Sequence, residues 1–300
     1  MSLLRSWKDL HESRTRLEQG GVTQPFGWVQ SLEVINHYVL LPGTIQLSKL
    51  NLLFGMNNSG KTRLLHLLRS LASPNLLMDS GYPADLSCAI TWFDPAHRKA
   101  VVRVEGESLE YHVDGRRVPL PPRPYRVLTF GPDSYVANAL RAGAPTVSGV
   151  ARFLGIDPWA ARTVITSMSE LLPDVIADLS VEGDHVRVSY QQGRRRGQDG
   201  PRWDFWFYSL VVFAELQARA EPTILVLDEP LTYVHPMAQR KMLELFESAA
   251  WTFQTILTEH SLVAYARRMH GWSASVLMPE PKNRSRISQD YADLERIAAD

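Results

Sequence analysis

Apolar side chains recur at two different periods along this chain, and the switches between those periods mark its elements. In residues 2–18, Leu3, Trp7, Leu10 and Leu17, with the stem of Arg14, return at helical spacing, which predicts a short amphipathic helix. Such a helix either docks a partner or packs on the chain's own core. After Gly20-Gly21, residues 27–41 and 44–47 alternate or cluster apolar positions and predict strands leading into the run Leu50-Asn51-Leu52-Leu53-Phe54. Leu64, Leu65, Leu67, Leu68 and Leu71 then predict a helix over residues 61–72.

A strand-rich section follows at residues 86–93, 101–104 and 109–113, with a turn at Asp114-Gly115 before Arg116-Arg117-Val118. It reads as a small antiparallel lobe, closed by the proline-rich residues 119–124 and followed by a strand at 125–130. Residues 133–180 switch to helical signals, with starts near Ser148 and Asp157-Pro158 and a stop at Pro173. Residues 193–201 read as a basic, glycine-containing loop, and residues 203–220 as an aromatic-rich helix. Thr223-Ile224-Leu225-Val226-Leu227 is a continuous apolar run of the kind found in the middle of a parallel sheet. Helix and strand signals then alternate through 236–250, 253–257, 262–270 and 275–278, an order that argues for α/β layering.

Composition narrows the picture. A chain of 300 residues with 45% apolar content can bury one large core or two modest ones. The 32 basic and 32 acidic residues cancel, so any contact with nucleic acid or an anionic membrane would have to come from a local patch. The single cysteine, Cys88, cannot form an internal disulfide and fits a reducing compartment. No apolar run approaches the ~20 residues needed to cross a bilayer, and the N-terminal segment lacks the apolar core of a signal peptide. The expectation is a soluble, cytoplasmic protein without a membrane partner.

The chemistry concentrates at three places. Gly55-Met56-Asn57-Asn58-Ser59-Gly60-Lys61-Thr62 fits G-x-x-x-x-G-K-[ST] and lies between a predicted strand and a predicted helix, the context that pattern requires. Glycines at both ends let the backbone wrap closely enough for successive N–H groups to converge on phosphate oxygens. The helix that follows aims its free N–H groups at the same anion. Gly55, Asn57, Asn58, Ser59, Gly60, Lys61 and Thr62 are therefore expected to bind a nucleoside triphosphate, with Lys61 on its β/γ-phosphates and the Thr62 hydroxyl on Mg²⁺. The second place is the end of the buried run, where Asp228 is expected to hold Mg²⁺ and Glu229 to accept a proton from the attacking water. Third, the strand ending in Thr258-Glu259-His260-Ser261 puts His260 at the same carboxyl edge, where ligands bind in open α/β sheets. Phe26, Trp28 and Tyr38 offer faces for an adenine, beside their ordinary role in sheet packing.

The phosphate loop, Leu227-Asp228-Glu229-Pro230 with His235-Pro236, and Thr258-Glu259-His260-Ser261 resemble, in sequence and in order, the ABC-type ATPases of the SMC and OLD-nuclease kind. The resemblance covers about residues 27–72 and 203–278. It implies an α/β, P-loop NTPase core with a mostly parallel sheet, to which the patterning adds an antiparallel β lobe and an inserted helical lobe. The divisions are an N-terminal arm (1–26), the first part of the core with the β lobe (27–132), the helical insertion (133–180) and the second part of the core (181–300). It further implies ATP and Mg²⁺ as cofactors and a homodimer or higher oligomer enclosing the nucleotide. Lys61, Glu229 and His260 would be catalytic, with Glu229 the base and His260 the switch histidine, and Thr62 and Asp228 would hold the metal.

Three departures qualify the resemblance. The family's serine-glycine-glycine signature should precede the helix that feeds Asp228, yet residues 199–207 contain no serine-glycine pair. No glutamine occurs between Lys61 and Gln191 to serve as a glutamine loop, a place the turn at Gly131-Pro132-Asp133-Ser134 could take. Leu231 stands where many relatives carry another acid. No second catalytic constellation is evident, so the leading expectation is an ATPase that gates a separate effector, such as a nuclease or toxin in antiviral defence. The alternatives are an ATP sensor with little hydrolysis, or the nucleotide-binding subunit of a transporter. Arg194, Arg195 and Arg196 are the candidate contact for nucleic acid, against the simpler reading of a solvated loop tip.

Overall fold

The computed structural model describes residues 29–69, 86–93, 98–105, 108–119, 126–130, 146–154, 156–171, 176–192, 195–197, 223–231, 236–249, 253–260, 262–267 and 271–299. The helices expected at 2–18 and 203–220, the aromatics Phe26 and Trp28, the turn at 131–134, Arg194 and His235 lie outside the described residues. In chain order the elements are β1 (Val29–Asn36), β2 (Gly43–Gln46), β3 (Leu50–Gly55), α1 (Lys61–Arg69), β4 (Ser87–Phe93), β5 (Lys99–Glu105), β6 (Ser108–Val113), β7 (Arg116–Val118) and β8 (Arg126–Phe130). They continue with α2 (Val147–Leu154), α3 (Pro158–Leu171), β9 (Ile176–Glu182), β10 (His185–Gln192), β11 (Arg195–Gly197), β12 (Thr223–Asp228), α4 (Pro236–Ala249), β13 (Phe253–Glu259), α5 (Leu262–Ala266), β14 (Ser273–Glu280), β15 (Arg284–Ser288) and α6 (Tyr291–Ala299). They fall into two compact units, one holding α2–α4 and β9–β11 and the other holding the two large sheets with α1, α5 and α6.

In the larger unit, one six-stranded sheet runs β2-β1-β4-β5-β6-β7, and every pair in it is antiparallel. Its β5 shows why it is two-sided: Ala100, Val102 and Val104 point inward and are buried, while Lys99, Arg103 and Glu105 are exposed. The β6–β7 hairpin turns at Asp114 (φ 48°) and Gly115 (φ 78°), the pair of left-handed conformations that matches strand twist in a two-residue loop.

The second sheet runs β15-β14-β3-β13-β12-β8, with β14, β3, β13 and β12 mutually parallel. All six residues of β3 are buried, as expected of a strand covered on both faces. Leu64, Leu65, Leu67 and Leu68 of α1 join Leu53, Ile224, Val226 and Ile256 of this sheet and Leu32, Ile90 and Val102 of the other in one apolar core. A polar tie also joins the sheets. Gln254 of β13 accepts from Val29 N–H at 2.9 Å and donates to Val29 O at 2.8 Å and Ser48 O at 2.6 Å.

In the smaller unit, α2 packs against α3 and α3 against β9. Asp184 caps α2, accepting from both the N–H and the hydroxyl of Ser148 at 2.8 Å. The helical expectation for 133–180 fails at its end, since residues 176–180 belong to β9, which pairs with β10. From Ala177 to Glu182 apolar and polar residues alternate with a period of two, and Gly183 (φ 61°) supplies the hairpin turn. Arg195 and Arg196 form no loop tip: they sit on β11, opposite Gln192 and Gln191 of β10.

Candidate functional site

Strand register brings the three motif stretches together. Leu53 and Phe54 of β3 lie opposite Thr258 and Glu259 of β13, and Thr258 lies opposite Asp228 of β12. The chain leaving all three strands therefore meets at one carboxyl edge.

The phosphate loop is built by close approach. A Cβ on Gly55 would lie 2.4 Å from Ser59 Oγ, and one on Gly60 would lie 3.0 Å from side-chain carbons of Val39 and Leu40. Gly60 also has φ +94°, which L side chains rarely adopt. Asn58 takes φ 64°, a conformation asparagine tolerates better than most residues. The first turn of α1 carries no acidic residue, so its positive end is not neutralised from within. Lys61 is 5% exposed, and its Nζ donates to Gly55 O at 2.9 Å and Met56 O at 3.1 Å. Burial lowers its pKa, and the charges of Glu229 and Asp228 partly offset that.

The acidic pair is held by β13. Asp228, 3% exposed, accepts from Thr62 Oγ1 at 2.8 Å and from Thr258 Oγ1 at 2.6 Å. Glu229 adopts φ 49°, a conformation that costs a non-glycine residue of order 1–3 kcal/mol and persists only where its surroundings impose it. Thr258 imposes it here, taking the Glu229 N–H on its hydroxyl at 2.9 Å and its carbonyl at 3.2 Å. The Glu229 carboxylate then reaches His260 Nε2 at 2.7 Å and lies 3.6 Å from Lys61 Nζ. A carboxylate only accepts, so Nε2 carries the proton. The hydrogen bond from His260 outweighs burial and, with the charges of His260 and Lys61, holds the Glu229 carboxyl below the usual carboxylate range.

Glu259, 1% exposed, braces the same turn by accepting from Leu231 N–H at 2.6 Å and His260 N–H at 3.2 Å. Leu231, at the position where an acid is common, is fully buried. Around the loop lies a cavity of about 590 Å³. Glu229 lines it beside Lys61, and Tyr38 and Val39 line it beside Gly60 and Arg63.

The structure thus gathers Asn57, Asn58, Ser59, Gly60, Lys61, Thr62 and Glu229 on one cavity, with Gly55, Asp228 and His260 one contact away. Thr258 and Glu259, which position these groups, lie in the third motif stretch, but that stretch assigns them no role. Their signal was polarity: a threonine and a glutamate ending an apolar strand have to bond to something there.

A triphosphate and Mg²⁺ fit what is present. Ser59 Oγ is buried with no hydrogen-bond partner among the described residues, an acceptor or donor left over inside an anion cradle. The Thr62 hydroxyl and the Asp228 carboxylate, in contact with one another, are hard oxygen donors of the kind Mg²⁺ takes.

The sequence matches no protein-family model and no curated protein. Solved structures do match. The SMC head bound to the C-winged helix domain of ScpA aligns with TM-score 0.64 at 14% identity, over 87% of this chain and 97% of that one. The Smc head with an extended coiled coil bound to the C-terminal domain of ScpA, from Pyrococcus furiosus, gives 0.61 at 12%, over 88% and 96%. The recombination mediator RecF, as RecF-ATPrS, gives 0.54 at 10%, over 88% and 99%. The chain has an α/β phosphate-loop NTPase fold, similar to that of the SMC heads and RecF.

Proposed function

We propose that this chain is a Mg²⁺-dependent ATPase of the ABC kind that assembles on ATP and controls a separate partner protein. The observation that carries the reading is the convergence of Lys61, Thr62, Asp228, Glu229 and His260, from three separate strand ends, within one compact unit. Bound Mg²⁺ would supply charge neutralisation at the phosphates. Thr62 and Asp228 would hold it, and Lys61 with the loop backbone would bind the phosphate oxygens. Glu229, kept ionised by His260 and Lys61, is then a proton acceptor in reach of the cavity. His260, donating from Nε2, holds the Glu229 carboxylate in place for that proton transfer.

A protein partner is supported by the fold, since the SMC heads it is similar to were solved bound to ScpA domains. For this chain the partner would be an effector, such as a nuclease or toxin in antiviral defence. Arg195 and Arg196, on the edge strand β11, together with Arg194, are the residues on which nucleic acid would be tested. Among the described residues no helix is long and apolar enough to cross a membrane.

Phosphate release from ATP, compared between wild type and Glu229→Gln, tests the reading together with solution mass measured with and without ATP. Hydrolysis lost in the variant and a mass increase with ATP support it. A second reading, an ATP sensor with little turnover, is favoured by the lack of a serine-glycine pair in residues 199–207. It predicts equal, background rates for both proteins despite measurable ATP binding.

A further inference from the structure

The turn at residues 37–41, between β1 and β2, gives Tyr38 and Val39 to the cavity and is held in part by a distant stretch of the chain. His37 Nδ1 accepts the N–H groups of Val39 at 3.0 Å and Leu40 at 3.1 Å, closing a tight turn on one imidazole nitrogen. Arg284, at the start of β15, donates from a single terminal nitrogen to His37 O at 3.1 Å and Leu40 O at 2.9 Å. The next residue completes the splint: Ser285 N–H donates to Val39 O, and Ser285 O accepts from Leu41 N–H, both at 2.8 Å. Carbonyls and amides of residues 37–41 are thereby fixed by groups lying 244 and 247 positions away.

Tyr38 sits in the middle of this braced turn. Its ring stacks on His37 with centroids 4.7 Å apart and planes 16° from parallel, and the Arg63 guanidinium carbon lies 5.6 Å from its centroid. Tyr38 is nonetheless 45% exposed and lines the cavity with Arg63. Lys61, Thr62 and the loop backbone suit phosphate oxygens. Tyr38 and Arg63 instead offer a π face and a guanidinium plane, surfaces on which a nucleobase can stack.

We propose that Arg284 is a positioning residue for the base of the nucleotide: by fixing the carbonyls of His37 and Leu40 it holds Tyr38, beside Arg63, as the surface on which the base stacks. The proposal rests on the nucleotide-binding reading above. Its consequence is a division of labour, in which the β14–β15 hairpin governs affinity for the nucleoside and the phosphate loop governs affinity for the triphosphate. A lysine at 284 would keep the charge but give up the planar, pre-organised donor pair.

The experiment titrates wild type, Arg284→Ala, Arg284→Lys and Tyr38→Ala with MgATP and with magnesium tripolyphosphate, by calorimetry, after circular dichroism has verified folding. Arg284→Ala and Tyr38→Ala should each weaken ATP binding by roughly tenfold or more, the scale of one stacked base, and change tripolyphosphate binding less than about twofold. Arg284→Lys should fall between, and adding Arg284→Ala to Tyr38→Ala should cost nothing further, because both act through one contact. Equal losses for both ligands would place the effect of Arg284 on the phosphate loop and overturn the proposal, as would unchanged ATP affinity. A wild type that binds ATP no better than tripolyphosphate also overturns it while leaving the phosphate-loop reading standing; one that binds neither ligand overturns both. Should Arg284→Ala not fold, Arg284→Lys and Tyr38→Ala decide the outcome.

Discussion

Thr62 Oγ1 donates a 2.8 Å hydrogen bond to Asp228 Oδ2, across 166 positions of the chain. Each group is a hard oxygen ligand, and neither motif alone says that the two touch. Their contact defines where a divalent cation would sit between the phosphate loop and the acidic strand end. Asp228→Asn keeps the shape and one of the two acceptor oxygens that Thr62 and Thr258 now use, but removes the charge. ATP hydrolysis should fall by at least about 100-fold, and ATP affinity should lose most of its dependence on Mg²⁺. Calorimetry with and without the metal checks the second point.

Glu229→Gln should lower turnover by about 10²–10⁴, the usual scale for a lost general base, while ATP stays bound. The pH profile carries a sign. In the native protein the bond from His260, with Lys61, keeps the Glu229 carboxyl below its ordinary value near 4.5, so the acid limb of the rate should lie below that value. His260→Ala removes the principal cause, leaves burial opposing ionisation, and should move the limb upward. A limb that stays put in His260→Ala would refute the assigned pairing.

His37 gives a second pH dependence, this one on stability. Its Nδ1 must be unprotonated to accept from Val39 and Leu40, and burial, with Arg63 and Arg284 nearby, depresses its pKa to about 4. The unfolded chain takes up a proton near 6.5 while the native ring does not, so stability is full above pH 6.5 and declines as pH falls toward 4. The loss should reach about 3 kcal/mol. Urea unfolding of wild type and His37→Asn over that interval tests it, since the variant should lack this part of the slope.

Gln254→Leu preserves bulk but leaves Val29 N–H and Val29 O without the side-chain partners they now have at 2.9 and 2.8 Å. Stranded buried backbone groups cost ~1–3 kcal/mol each. A drop of roughly 2–4 kcal/mol in urea unfolding is expected, with ATP affinity little changed if the native state survives.

Much of the site was legible because its chemistry is local in sequence. Gly55 to Thr62 had to be a cradle wherever it lay, and a carboxylate pair ending a continuous apolar run had to reach an edge. The parallel sheet followed from β3 and β12, whose apolar runs make sense only when covered on both sides. What was not legible was long-range pairing of backbone groups. Nothing about Arg284 or Ser285 marks them as partners of Val39 and Leu40, because a hydrogen bond to a carbonyl leaves no trace in residue type. Residues 176–180 differ for another reason: the period of two from Ala177 onward is short and lies beside strong helical stretches. Arg195 and Arg196 were assigned to a loop on composition, although the register with Gln191 and Gln192 makes them a strand.

The splint that Arg284 and Ser285 make on residues 37–41 has a practical corollary for anyone trimming this protein. All three motif stretches lie upstream of residue 262, so a fragment stopped after β14 would keep every one of them intact. It would nonetheless lose four hydrogen bonds to the backbone of residues 37–41, the two from Arg284 and the two of Ser285 that make up the Leu40–Ser285 bridge. Completeness of the motif pattern and completeness of the braced cavity wall are, in this molecule, two different lengths of polypeptide.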